Sequence, residues 1–263
     1  MTTSEQAHPI RADGPVWAVV PCGGSGSRAG GGLPKQYRPV AGLPVLAHTL
    51  NALAGVAAIQ GVVLAIAPDD GWFDTPHPGL PGGGWTGLPA VAAREATASW
   101  LHVHRCAGAS RAHTVLNGLR VWLDGHGAHP ADWVLVHDAA RCLVTPGLID
   151  TLIGACRTDP VGGLLAIPLP DTLKREEAGR VAATVPRADK WLAQTPQMFR
   201  LGELMQALNS AAATGFEQVT DEASAMEAQG LHPRLVLGSP ENIKLTYPPD
   251  FALAQAILKE RQP

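Results

Sequence analysis

Charged side chains are scarce in this chain, only 16% of its residues, and their signs nearly cancel: 20 Lys and Arg against 23 Asp and Glu, a formal net charge of −3. A general nucleic-acid binder would carry a basic stripe, so the balance argues against that partner class. Any anionic ligand must be held by a few local cations. Cysteine is sparse too. Cys22, Cys106, Cys142 and Cys156 lie far apart with no Cys-x-x-Cys pair, which speaks against a disulfide frame or zinc site and for reduced thiols in the cytoplasm. No apolar run approaches the ~18–20 residues that span a bilayer, so no membrane partner is expected. Met1–Ala12 is polar and lacks an apolar signal core, which reads as a disordered leader over residues 1–14. The seven tryptophans are scattered and form no stacking ladder for single strands.

What is present is apolar: 46% of the residues, enough for a chain this long to remove roughly three-quarters of its unfolded surface from water. Residues 15–263 read as one domain. Val16–Pro21, Val62–Pro68, Trp133–His137 and Gly163–Leu169 look like buried strands. Between them, Pro44–Ala54 and Ser110–Leu123 carry Leu and Val at helical spacing, with Ser110 placed as an N-cap. This alternation predicts an α/β fold, a doubly wound, Rossmann-like, mostly parallel sheet with ligands at the carboxyl ends of its strands. Two stretches break the pattern. Asp69–Ala90, rich in Gly and Pro, reads as a long surface loop. Pro170–Lys190 is too polar for core and reads as a projecting β-arm, over about 169–191, that needs a partner surface. Beyond it, Leu201–Ala213, Thr220–Gln229 (capped by Thr220, ended by Gly230) and Pro248–Lys259 are predicted helices.

The loop after the first strand holds Cys22-Gly-Gly-Ser-Gly-Ser-Arg28, then Gly30-Gly-Gly-Leu-Pro-Lys-Gln-Tyr37. Glycines let backbone N–H groups approach a phosphate closely, and Arg28 and Lys35 add charge to the same loop. A flexible turn and a triphosphate cradle both remain open on the glycines alone. There is no GxxxxGK[ST] and no GxGxxG that opens a helix directly.

The strand, this loop, Arg28 and Pro34-Lys-Gln-Tyr37 resemble the 2-C-methyl-D-erythritol 4-phosphate cytidylyltransferase family. Ser110-Arg-Ala-His-Thr-Val115, Val136-His-Asp-Ala-Ala-Arg141, Asp171-Thr-Leu-Lys-Arg175, Thr220-Asp-Glu-Ala-Ser224 and Asn242-Ile-Lys-Leu-Thr246 agree in order and spacing, so the likeness runs over roughly residues 16–260. The resemblance implies transfer of CMP from CTP to a small polyol phosphate, with Arg28, Lys35 and Lys244 around the triphosphate. Cys22, Gly23, Gly24, Gly108, Thr114 and Ala139 would hold the nucleoside. Asp138 would line the nucleotide site and bind Mg²⁺, with a helix N-cap as the lesser alternative for that residue. The arm implies a homodimer, with Arg175 and Thr184 reaching a substrate phosphate in the partner's site. Taken alone, Arg175 is more commonly a solvated surface charge; the motif and the arm together reverse that reading.

The sequence departs from the family pattern in places. Cys22-Gly-Gly24 stands where Ala-Ala-Gly is common, adding flexibility and a thiol near the nucleotide. Ala109 replaces an acidic residue of some members, Cys142 a proline, and the 69–90 loop is longer than expected. His102 and His104 would share a strand face but lack a third metal-ligand motif; His126 and His129 read as solvent-facing, and His137 as a core histidine. Two alternatives are carried: a cytidylyltransferase for another polyol phosphate such as ribitol 5-phosphate, and a dinucleotide-dependent oxidoreductase, in which Arg28 and Lys35 would have no purpose.

Overall fold

The computed structural model describes residues 14–24 and 32–261. Arg28 and nearly all of the expected leader therefore lie outside the described residues.

The first strand, β1 (Val16–Cys22), is Val-rich and buried on both faces, as an interior parallel strand must be. A single 3₁₀ turn over Lys35–Tyr37 follows, then a short hairpin of β2 (Pro39–Val40) and β3 (Leu43–Pro44). Helix α1 (Val45–Ala54) leads to β4 (Ile59–Ile66), and α2 (Pro89–Glu95) to β5 (Leu101–His104). Helix α3 (Arg111–Gly125) starts where Ser110 accepts a hydrogen bond from His113 N–H, the expected cap. It is followed by β6 (Trp133–Val136), α4 (Pro146–Arg157) and β7 (Gly162–Pro168). The chain then forms β8 (Leu173–Glu177), β9 (Arg180–Val185) and β10 (Trp191–Arg200). Last come α5 (Leu201–Ala212), α6 (Glu222–Glu227), β11 (Arg234–Leu237) and α7 (Pro248–Glu260).

Seven strands form one sheet in the order β11-β7-β10-β6-β1-β4-β5. All neighbours are parallel except β10, which runs antiparallel to both β6 and β7. Period-two alternation sends Ala18, Val20, Val62 and Leu64 to one face, under α1, α2 and α4, and Val19 and Val63 to the other, under α3, α5 and α6. The chain runs outward from β1 through β4 to β5, then returns to β6 on the other side of β1. That reversal opens a crevice beyond the carboxyl ends of β1 and β6, where doubly wound sheets take their ligands.

The arm is a two-stranded hairpin, β8 with β9, turned at Ala178 and Gly179, both at positive φ, and solvent-exposed along almost all of its length. Three expectations need correction. The 69–90 loop is not only surface: Asp70, His77, Trp85 and Leu88 are buried in it, because its irregularly spaced aromatics converge on Tyr37. Asp221, not Thr220, caps α6, its carboxylate accepting from Ser224 N–H while the Ser224 hydroxyl accepts from Asp221 N–H. His126 is not left to solvent. Its ring lies 4.2 Å from His102 and 5.7 Å from His104, beside Trp122. Among the described residues no group of His, Cys, Asp or Glu is arranged to hold a metal by itself.

Candidate active site

The crevice is a cleft of about 350 Å³ walled by the turn after β1, by Lys35 and Gln36, by the 108–111 loop, by Asp138–Ala140 after β6, and by Lys244 and Thr246. Most of the expected site residues meet here: Cys22, Gly23, Gly24, Lys35, Gly108, Thr114, Asp138, Ala139 and Lys244 all line it. Ala109 lines it too.

Close approach explains the first glycine of the Gly-Gly step. A β-carbon on Gly23 would stand 2.2 Å from that of Ala107, whose N–H is tied to Ile66 at the end of β4. Among the described residues nothing stands within 4 Å of a β-carbon placed on Gly24. The turn is clamped by Gln36, which donates to the Cys22 and Gly24 carbonyls at 3.2 Å each. The Cys22 thiol is buried and hydrogen-bonded with Tyr37, and burial, with Asp70 nearby, pushes its pKa far up. It is a packing group and not a nucleophile. Across the cleft, the Thr114 hydroxyl accepts from Gly108 N–H and donates to the Ser110 carbonyl, so it shapes the 108–110 loop.

Asp138 does not cap a helix. Its Oδ1 accepts from Arg111 Nε and its Oδ2 from Lys244 Nζ, both at 2.7 Å. Arg111 also grips Glu222 bidentately at 2.8 and 3.0 Å. Burial would raise the Asp138 pKa, but Arg111 and Lys244 overcome it and hold the carboxyl well below the usual range. Glu222 responds in the opposite sense, raised by its own burial against the pull of Arg111. Two carboxylates and two cations thus form a balanced set, to which Lys35 adds positive charge while donating to the Leu245 carbonyl at 3.2 Å. Lys244 is placed by its neighbours: Leu245 is buried with its N–H on the Ala140 carbonyl, and buried Asn242 donates to Thr195 O and Gln194 Oε1. Cys142 packs with Leu245, Val40, Val45 and Phe251 under α7, so it serves as a small apolar filler. His137, fully buried, donates from Nε2 to Arg141 O and accepts at Nδ1 from the Thr195 hydroxyl; burial pushes its pKa down to about 4 and keeps it neutral.

Arg111, Glu222 and Gln36 carry this geometry and were not singled out from the sequence, although each lies within a quoted motif. One signal was available. A cation in the first turn of a helix opposes the helix dipole, so Arg111 directly after its cap called for a carboxylate partner.

The arm residues are not brought together. Thr184 pairs with Lys174, whose Nζ donates to its hydroxyl at 2.7 Å, while Arg175 pairs with Ala183. Cross-strand partners share a face and neighbours alternate, so Arg175 and Thr184 lie on opposite faces of the hairpin.

A sequence model of the family described as IspD, 2-C-methyl-D-erythritol 4-phosphate cytidylyltransferase, matches residues 16–78 and 92–260. A 2-C-methyl-D-erythritol 4-phosphate cytidylyltransferase of Ralstonia nicotianae is 50% identical over 255 residues, covering 94% of this chain and 93% of its own. A bifunctional IspD/IspF enzyme of Albidiferax ferrireducens is 55% identical over 245 residues, which is 93% of this chain but 53% of that longer protein; this chain spans about half its length. A crystal structure of a 4-diphosphocytidyl-2C-methyl-D-erythritol synthase superposes with a TM-score of 0.74 at 34% identity, over 93% of this chain and 98% of the other. The chain belongs to the 2-C-methyl-D-erythritol 4-phosphate cytidylyltransferase family.

Proposed function

We infer that this chain transfers CMP from CTP to 2-C-methyl-D-erythritol 4-phosphate, giving 4-diphosphocytidyl-2-C-methyl-D-erythritol and pyrophosphate, a step of isoprenoid precursor synthesis. The observation that carries the reading is one cleft, at the reversal of the sheet, where a glycine turn, Lys35 and the Lys244–Asp138–Arg111 set converge.

The acceptor's phosphate attacks the α-phosphorus of CTP in line, and the bond to the β-phosphate oxygen breaks. A phosphate monoester is already ionised at neutral pH, so no protein base or nucleophile is needed, and catalysis reduces to position and charge. Lys35, Lys244 and Arg28 stabilise charge on the transferring phosphoryl group and on the departing pyrophosphate. Gly23, Gly24, Gly108, Ala139 and the loop held by Thr114 seat the nucleoside. Asp138 orients Lys244 and Arg111. As an ionised hard oxygen donor on the cleft wall, it also suits Mg²⁺, which takes one or two carboxylates and completes its shell with phosphate oxygens and water. When bound, the ion would neutralise phosphate charge.

The homodimer belongs to the same reading. Trp191, Leu235 and Leu237 are exposed, and their registers with Pro168, Leu164 and Ala166 put them on one face at the base of the arm. A second copy would cover that face and receive the arm, with Arg175 or Thr184 meeting the substrate phosphate. The four cysteines are free, as suits the cytoplasm, where we place the protein; among the described residues no helix is long and apolar enough to cross a membrane.

The test is pyrophosphate release with Mg²⁺, offering each of the four NTPs with methylerythritol phosphate or ribitol 5-phosphate. Release only with CTP and methylerythritol phosphate is expected; release with ribitol 5-phosphate instead would overturn the acceptor. Lys35→Ala should lower turnover by about two orders of magnitude with the fold intact, and wild-type rates would remove Lys35 from the mechanism.

A further inference from the structure

The segment that the family match passes over, residues 79–91, is built into the protein next to one of its catalytic cations. Trp85 is almost fully buried. It stacks on Phe73 with ring centroids 5.3 Å apart and 10° between planes, donates from Nε1 to the Phe73 carbonyl at 3.0 Å, and lies 5.3 Å from the His77 ring. His77 in turn stacks on Tyr37, at 5.1 Å and 15°, and Trp85 itself reaches Tyr37 at 6.0 Å. The loop is also seated on the β2–β3 turn, where a β-carbon at Gly79 would overlap the Gly42 carbonyl oxygen.

Tyr37 is the point where this packing meets the site. It closes the one-turn 3₁₀ segment that begins with Lys35, its N–H bonded to Pro34 O, and its hydroxyl donates to Asp70 Oδ2 at 2.6 Å. Asp70 is fixed in turn, its Oδ1 accepting from the N–H groups of Trp72 and Phe73, and its carbonyl accepting from Arg105. A 3₁₀ turn of three residues has little stiffness of its own. Besides the bonds of Gln36 to the Cys22 and Gly24 carbonyls and of Lys35 to the Leu245 carbonyl, what holds Tyr37 orients this turn.

We propose that Trp85, acting through His77 and Tyr37, is a positioning residue for Lys35, supplied by a segment that the family model does not match. The inference rests on the cytidylyltransferase reading for the role of Lys35 but not for its acceptor. Because a small misplacement of a charge-stabilising group is costly in rate, Trp85→Ala should lower kcat/KM by about tenfold, mostly through kcat. Trp85→Phe, which keeps a ring against Phe73 and His77, should restore most of it.

The deciding experiment is a double-substitution cycle of Trp85→Ala with Lys35→Ala. It is read on kcat/KM and, by calorimetry, on CTP affinity, so that it works whichever polyol phosphate is the acceptor. If Trp85 acts through Lys35, the Trp85→Ala loss should shrink to within twofold once Lys35→Ala is present. Equal losses in both backgrounds would overturn the proposal, as would a folded Trp85→Ala protein within twofold of wild type. Should Trp85→Ala fail to fold, Tyr37→Phe keeps the ring, removes the hydroxyl's bonds to Asp70 and Cys22, and runs the same cycle with the same two outcomes. A wild-type protein that binds CTP but releases no pyrophosphate with methylerythritol phosphate would instead count against the acceptor assignment.

Discussion

The buried imidazole of His137 shows how a residue with no part in the chemistry sets the working range of the fold. Its pKa is pushed down to about 4 by burial, against the raising effects of Asp138 and the Arg141 carbonyl. His48, His102 and His104 are lowered as well, each chiefly by burial. The sign follows directly. In the unfolded chain these rings take up protons near pH 6.5, while the folded chain refuses them, so the unfolded state binds more protons and stability falls with falling pH. For His137 the contribution is fully present above about pH 6.5 and is lost as pH falls toward 4, an effect of about 3 kcal/mol. Urea unfolding between pH 7 and 4 should show it, with a flatter pH dependence in His137→Asn. Equal slopes in the two proteins would show that His137 is not the group responsible.

At the scale of elements, the arm gives the sharper lesson. Its two faces separate residues that a plain hairpin would unite. Pairing outward without interruption from the Ala178–Gly179 turn would set Arg175 opposite Ala182, on the face of Thr184. The register instead shifts between Arg175 and Glu176, so Arg175 faces Ala183 and Thr184 faces Lys174, since one inserted residue reverses the alternation. Only one face of the hairpin can meet a given cleft. Arg175→Ala and Thr184→Val should therefore not both raise KM for the polyol phosphate; comparable increases from both would sink the single-face reading. The bulge left no trace in the sequence, because neither face of the hairpin is buried, so no apolar period fixes its register. Elements with a buried stripe were legible for the opposite reason: β1, β4, β6, β7, α1 and α3 appear within a few residues of where their apolar periods put them. What stayed hidden has no period. Phe73, His77 and Trp85 converge on Tyr37 from irregular spacings, and Arg111 meets Glu222 across 111 positions. The cleft residues drawn from glycine spacing, motif order and charge were found where strand ends gather them; the ion pairs that aim them had to be seen.

For the whole molecule, the question is whether one chain contains a complete site. Its cleft holds groups suited to CTP, while the arm packs chiefly as its own hairpin, exposed along almost its full length. Trp191, Leu235 and Leu237 leave an apolar face uncovered beside it. A closed two-fold pair would resolve both features at once, because the same patch and the same arm are then used twice. That arrangement makes a prediction no monomer can meet. A Lys35→Ala protein has a disabled cleft and an intact arm, and an Arg175→Ala/Thr184→Val protein has the reverse. If the arm completes the partner's site, each mixed dimer contains one intact site, built from the second protein's cleft and the first protein's arm. Mixing equal amounts with subunit exchange should then restore about a quarter of wild-type activity, since half the dimers are mixed and each has one working site of two. Sedimentation should show dimers throughout. If the arm serves its own chain, the mixture will have no more activity than the average of the two variants.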